Sequence, residues 1–153
     1  MRPAWAELER GGARIVWDRD RPTFLAKVVG PTFDRICRAW TATFAGPTVI
    51  GGAVSSVGRG RLSDPAARVA HEIDVVALDG RRLRVLGEVK WGQRLGAAAL
   101  ARLQGLRALA LGRGLDVSEC RLALFSGRGF APGLRRLAGE DVILVDLERL
   151  YST

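Results

Sequence analysis

The sequence predicts an α/β domain: a mixed central sheet flanked by helices. Three observations point there. Two apolar runs, Glu72–Leu78 and Leu83–Trp91, flank Asp79-Gly80, a strong hairpin signal. A leucine-rich stretch of helical spacing, Ala97 to Leu111, follows them. Two further short apolar runs, Arg121 to Phe125 and Val142 to Val145, come after that helix, with a second helical pattern between them. The order helix, three strands, helix, strand, helix, strand gives a sheet that is part hairpin and part crossover.

Taking the elements in order, Pro3 to Arg10 is a short amphipathic segment, and residues 1–28 form a leader expected to pack on the main body, residues 29–153. Pro31 opens a helix with Phe33, Ile36, Cys37, Trp40 and Phe44 at helical spacing, and Gly46-Pro47 ends it. Val49 to Leu62 reads as an irregular strand running into a mobile loop at Gly58-Arg59-Gly60-Arg61. On the helix from Ala97, Leu100, Leu103, Leu106 and Leu111 face the core. Pro132 to Ala138 reads as a short helix, and a last helical turn ends near Tyr151.

Composition narrows the function. Of 153 residues, 48% are hydrophobic and 26% charged, which excludes a disordered or fibrous chain. The most apolar stretch is interrupted by Arg102, Gln104 and Arg107, so no membrane span is expected, and with no apolar run in Met1 to Gly12 the expected compartment is the cytoplasm. Two cysteines, Cys37 and Cys120, suggest neither a disulfide framework nor a zinc site. The net charge of +8 suits a polyanionic partner. The basic residues are 22 arginines and only two lysines, Lys27 and Lys90, which raises the question of where a titratable amine is needed.

The hairpin supplies a candidate. Side chains alternate between sheet faces with a period of two. Ile73, Val75 and Ala77 can share a buried face with Leu83, Val85, Gly87 and Val89 only if opposed residues have an even sum, as with 73 and 89. That demands an odd loop or a bulge near Asp79-Gly80-Arg81. The same parity gathers Asp74, Glu88 and Lys90 on the opposite face. Two carboxylates, with the Val89 carbonyl beside them, are hard oxygen ligands of the kind Mg²⁺ or Mn²⁺ takes. Lys90 would position or deprotonate an attacking water, a role its titratable amine suits better than a guanidinium. By spacing alone, such a trio is more often a solvated ion-pair cluster than a catalytic site.

The runs His71-Glu72-Ile73-Asp74-Val75-Val76-Ala77-Leu78 and Gly87-Glu88-Val89-Lys90-Trp91 resemble the core of the PD-(D/E)XK nuclease superfamily. The closer likeness is to the nuclease-like domain of unknown function at the C-terminus of archaeal-type ATPases. Gly30 to Arg38 resembles its first core helix, and Phe125 to Phe130 and Val142 to Asp146 resemble its last strands. The resemblance spans roughly Val29 to Tyr151. It implies a restriction-endonuclease-like core and Mg²⁺- or Mn²⁺-dependent hydrolysis of phosphodiester bonds in DNA. Asp74 and Glu88 would be metal ligands and Lys90 the catalytic lysine, with Asp34 as a further acid from the first helix and Gln104 as a contact from the helix after the lysine. Ile73 replaces the motif's proline, and Gly58-Arg59-Gly60-Arg61 replaces a tryptophan-rich run. It also implies an ATPase module in cis or trans. No phosphate-binding G-x-x-x-x-G-K-[ST] loop occurs, so nucleotide binding is not expected and the chain reads as an excised or stand-alone version. Relatives often dimerise to cut both strands, which leaves a homodimer open.

Other residues have plainer readings. His71 is a strand-edge polar group, Trp91 a core residue, and Trp5, Trp17 and Trp40 helix-packing residues. Cys37 is buried and inert, and Ser126 has no paired base. Arg59, Arg61, Arg81, Arg82, Arg94 and Arg128 are expected on loops around the site as phosphate contacts. Two other functions stay open: a nucleic-acid-binding module that does not cleave, and a regulatory interaction domain serving an ATPase.

Overall fold

The computed structural model describes residues 13–152. The segment Pro3 to Arg10, and Trp5 with it, lie outside the described residues. The elements are α1 (Ala13–Phe24), a π-helical turn (Leu25–Val29), α2 (Gly30–Thr43), α3 (Pro47–Ile50), β1 (Ser56–Asp64), β2 (Val69–Asp79) and β3 (Arg82–Lys90), then α4 (Ala97–Gly112), β4 (Arg121–Ser126), α5 (Pro132–Leu137), β5 (Val142–Val145) and α6 (Leu147–Tyr151). The five strands form one mixed sheet in sequence order. β1, β2 and β3 are an antiparallel meander, while β4 and β5 join in parallel after crossovers through α4 and α5.

Helix starts earlier than Pro31. Helical backbone runs without a break from Ala13 to Thr43, and Pro22 lies inside it. The wide π turn, closed by the Gly30 amide on the Leu25 carbonyl, sits just ahead of Pro31, a residue with no N–H to give the preceding turn. None of the residues 25–29 is buried. In α2, Phe33, Cys37, Trp40 and Thr41 are buried, whereas Ile36 and Phe44 are exposed. Phe44 lies past the last helical turn, and Ala45 takes the buried place instead. On α4, likewise, Ala110 is buried in place of Leu111.

Each face of the sheet is covered. On one, Phe33, Cys37 and Trp40 of α2 pack on Val75, Ala77, Val85, Val89, Phe125 and Val145. Trp40 meets Phe125 edge-to-face with ring centres 5.9 Å apart, and Trp91 meets Phe33 at 5.2 Å. On the other, Leu100, Leu103 and Leu106 of α4 and Leu134 of α5 pack on Leu86, Leu122 and Leu124. A strand covered on two faces needs no polar alternation, which is why β4 reads Leu-Ala-Leu-Phe.

The hairpin keeps the expected even parity, with Val75 opposite Gly87 and Ala77 opposite Val85. It reaches it by a bulge. Asp79 pairs with Arg82 and Leu78 with Leu83, leaving Arg84 as the extra residue on β3. The buried Arg84 guanidinium is held by Asp79 and Glu119. A second bulge departs from expectation. Gly58 faces Val76 and Gly60 faces Ile73, so Asp74 and Val75 together oppose Arg59. Alternation slips at each bulge, so Leu83, beside the first, and Ile73, beside the second, join the α4 core instead of the α2 core. Gly58 to Arg61 is therefore paired strand, not mobile loop.

At the centre of β3, a methyl group on Gly87 would lie 2.9 Å from the Val75 Cβ and 3.3 Å from the Phe125 ring. Gly87→Ala should cost about 1–3 kcal/mol by overpacking, read as a lower urea midpoint at unchanged slope. Burial pushes the Cys37 thiol well above its usual range and the Cys120 thiol up to about 11. A raised thiol pKa stabilises the fold below the unfolded value, near 8.5. That contribution fades as pH rises from there through about 11. Both thiols should resist a thiol-specific reagent at pH 8 until urea unfolds the chain, whereas fast native labelling would contradict their burial.

Candidate active site

The β2–β3 ladder stops at Val75 and Gly87. One residue beyond, the Asp74 side chain takes over: its Oδ2 accepts the Val89 backbone N–H at 2.9 Å. Asp74 is a bulge residue, and a bulge is a means of re-aiming a side chain out of strict alternation. Arg38 of α2 braces the same residue, donating to the Asp74 carbonyl at 3.1 Å. The second carboxylate oxygen of Asp74, Oδ1, makes no hydrogen bond or ion pair.

Glu88 and Lys90 flank Val89, and alternation sends both to the α4 face. Lys90 ends the strand half-exposed, its Nζ 4.0 Å from Glu88 Oε1. Glu88 is only 8% exposed. A carboxylate so placed needs a partner, and Arg102 of α4 supplies one, its Nη1 3.2 Å from Glu88 Oε2. Nη2 of the same guanidinium donates to the Glu72 carbonyl at 2.8 Å, tying α4 to β2.

The Asp74 carboxylate thus meets the Val89 amide where two strands part, while Glu88, next to Val89 on the α4 face, meets Lys90 and Arg102. The other candidates are placed differently. Asp34 pairs with Arg59 at 2.8 Å. Among the described residues no group of three or more His, Cys, Asp or Glu side chains converges, so Asp34 does not complete a three-acid cluster. Arg59 and Arg61 stand on β1, lining a cavity of about 180 Å³ with Gly60, Glu72, Ile73 and Asp74. Gln104 instead lines a separate cleft of about 670 Å³ with Arg107, Arg121 and Asp141. Arg102, two residues earlier, is the α4 side chain that reaches the site. Arg81 and Arg82 lie at the hairpin turn, with Arg82 on Asp116 and Glu119, six residues along β3 from Glu88 or roughly 20 Å away. Arg128 is exposed in the turn after β4. Half-buried His71 lines a small cavity with Asp64 and Arg102. The Ser126 hydroxyl donates to the Gln93 carbonyl at 2.8 Å and accepts from the Arg128 amide, which makes it a turn brace.

Arg102 and Arg38 were not among the residues the sequence singles out. Arg102 lies 14 residues from Glu88 and Arg38 lies 36 from Asp74. Only the packing of α4 and α2 across the sheet brings them in. Compared with protein-family models, curated proteins and solved structures, the chain finds no match.

The Asp74–Val89 bond separates two substitutions. Asp74→Ala leaves a backbone donor without its partner and should cost about 1–3 kcal/mol. Asp74→Asn keeps an accepting oxygen while losing the charge, and should cost clearly less. Paired urea titrations check the order, and equal losses would contradict this bond.

Proposed function

We propose that this chain is a metal-dependent nuclease-type domain with a restriction-endonuclease-like core of the PD-(D/E)XK kind, hydrolysing phosphodiester bonds in DNA. The observation that supports the proposal is the Asp74 carboxylate bonded to the amide of Val89, the residue between Glu88 and Lys90, whose side chains lie 4.0 Å apart. The donor set suits a hard cation. Asp74 has an oxygen without a partner, and Glu88 and the Val89 carbonyl add oxygens of the type Mg²⁺ and Mn²⁺ take, water and substrate phosphate completing the shell. Those three residues would hold the ion, which when bound supplies Lewis-acid polarisation and lowers the pKa of its water. Asp34, engaged by Arg59, would join only on release of that pair.

The remaining roles belong to the chain itself. The Val89 amide fixes the Asp74 carboxylate, so one oxygen is held and the other is presented. Lys90, half-exposed at a strand end, orients the attacking water and, as the neutral amine, would accept its proton, the resulting ammonium then balancing phosphate charge. Arg102 pairs with the buried Glu88, and its own side chain, 40% exposed, would turn toward a phosphate on release of that pair. Arg59 and Arg61 line the Asp74 cavity as phosphate contacts, and Arg128 lies exposed beyond β4. Gln104 has no part in this version of the site. DNA is the proposed partner and the cytoplasm the proposed location. An ATPase module or a second copy of the chain enters only through the family resemblance. Among the described residues no helix is long and apolar enough to cross a membrane.

The ion pairs Arg102–Glu88 and Arg59–Asp34 favour a second function, a nucleic-acid-binding domain that does not cleave, because they satisfy both acids without a cation. Incubation with plasmid and single-stranded DNA in Mg²⁺ or Mn²⁺ separates the two. Cleavage should appear and fall by about 10²-fold or more in Lys90→Ala and in Asp74→Asn. Cleavage unchanged in either variant would overturn the catalytic assignment. Binding with no metal-stimulated turnover would establish the second function.

A further inference from the structure

A second cleft, of about 480 Å³, opens between the helix and β1. Lys27, Val28, Pro31, Arg35 and Arg38 come to it from the π turn and α2, and Arg59 from β1. Four of its seven lining residues are cationic and none is acidic. Lys27 and Arg35 are exposed and make no ion pair or hydrogen bond. Arg38 spends its one hydrogen bond on a neutral carbonyl. Only Arg59 has a counter-charge, Asp34, at 2.8 Å. Cations gathered in one concave cleft lie within about a Debye length of one another, so they repel unless an anion joins them.

The cleft has a direction. Arg59 also lines the cavity of Asp74, and Arg38 grips the Asp74 backbone. A polyanion lying along Lys27, Arg35 and Arg59 therefore reaches the cavity that Asp74 lines. We propose that this cleft is a phosphate track, binding the sugar-phosphate backbone of the nucleic-acid strand and feeding it to Asp74. That the fed strand is the one cut rests on the proposed nuclease function, whereas the binding itself does not. In this track Asp34 is a positioning residue that aims Arg59. The exposed Trp17, Phe24 and Val28 on the same helical run raise the competing case of an anionic membrane surface. A concave cleft leading to a carboxylate favours a strand over a flat bilayer.

The test uses the full chain in EDTA, so that cleavage cannot intervene. Fluorescein-labelled 20-nucleotide single strand and 20-base-pair duplex are titrated from low to high salt. Each lost phosphate contact should weaken binding roughly five- to tenfold at 0.1 M salt and reduce the log–log salt slope by about 0.7–0.9. Lys27→Gln/Arg35→Gln should thus lose roughly 25- to 100-fold on the oligonucleotide form that the cleft takes. Arg113→Gln/Arg136→Gln removes the same charge from other exposed positions and should change affinity less than about threefold. Equal losses in the two double variants would overturn the track, since diffuse charge then explains binding. So would binding of phosphatidylserine vesicles with no oligonucleotide binding. If the wild type never cleaves with Mg²⁺ or Mn²⁺ but Lys27→Gln/Arg35→Gln still loses binding selectively, the track stands and the nuclease assignment falls.

Discussion

One carboxylate stands where two strands stop pairing. Asp74 closes the β2–β3 ladder with its side chain, and that bond depends on the register that burial imposes on the hairpin. Val75 and Ala77 must meet Val85 and Gly87 on the face beneath α2. A slip of one residue would turn Glu88 into that core and send Val89 out. The price of uncompensated charge in such a place is several kcal/mol. Apolar packing thus fixes where the polar groups can be, before any chemistry is asked of them.

Two bulges then adjust what the register leaves. Near the turn, Arg84 is the extra residue, and Asp79 and Glu119 pair with the two terminal nitrogens of its buried guanidinium. At the other end the extra residue belongs to β2, and it sets Asp74 beside the Val89 amide while Ile73 crosses to the α4 core. α4 and α2 contribute in the same way from opposite faces. Arg102 reaches down to Glu88, and Arg38 reaches across to Asp74. The candidate site is therefore a junction of both layers, and single-strand alternation does not describe it.

Much of this was legible in the residues. Period-two and helical spacing place β3, β4, β5 and α4 to within a residue, while β1 starts seven residues after Val49 and β2 three before Glu72; hairpin parity foretells a bulge together with the shared position of Glu88 and Lys90. The failures have physical causes. Gly58-Arg59-Gly60-Arg61 looks like a loop because glycine weakens strands. Yet Gly60 belongs in β1, since the Val76 side chain occupies the space a Cβ would need. The bulge at Asp74 depends on three strands at once, so period-two reasoning on one hairpin misplaces Ile73. Helix-to-strand pairs such as Arg102–Glu88 follow from how α4 lies on the sheet, which spacing along the chain does not encode. Pro31 looks like a helix start, but the π turn lets the helix run through it.

Catalysis at this site would depend on a cation held by Asp74 and Glu88 in place of the arginine now on Glu88. Anomalous diffraction from crystals soaked in Mn²⁺ tests it most directly. The expected result is one manganese peak within ligand distance of an Asp74 oxygen, a Glu88 oxygen and the Val89 carbonyl, with Arg102 turned away. No peak there, with Arg102 still closed on Glu88 at saturating Mn²⁺, would contradict it.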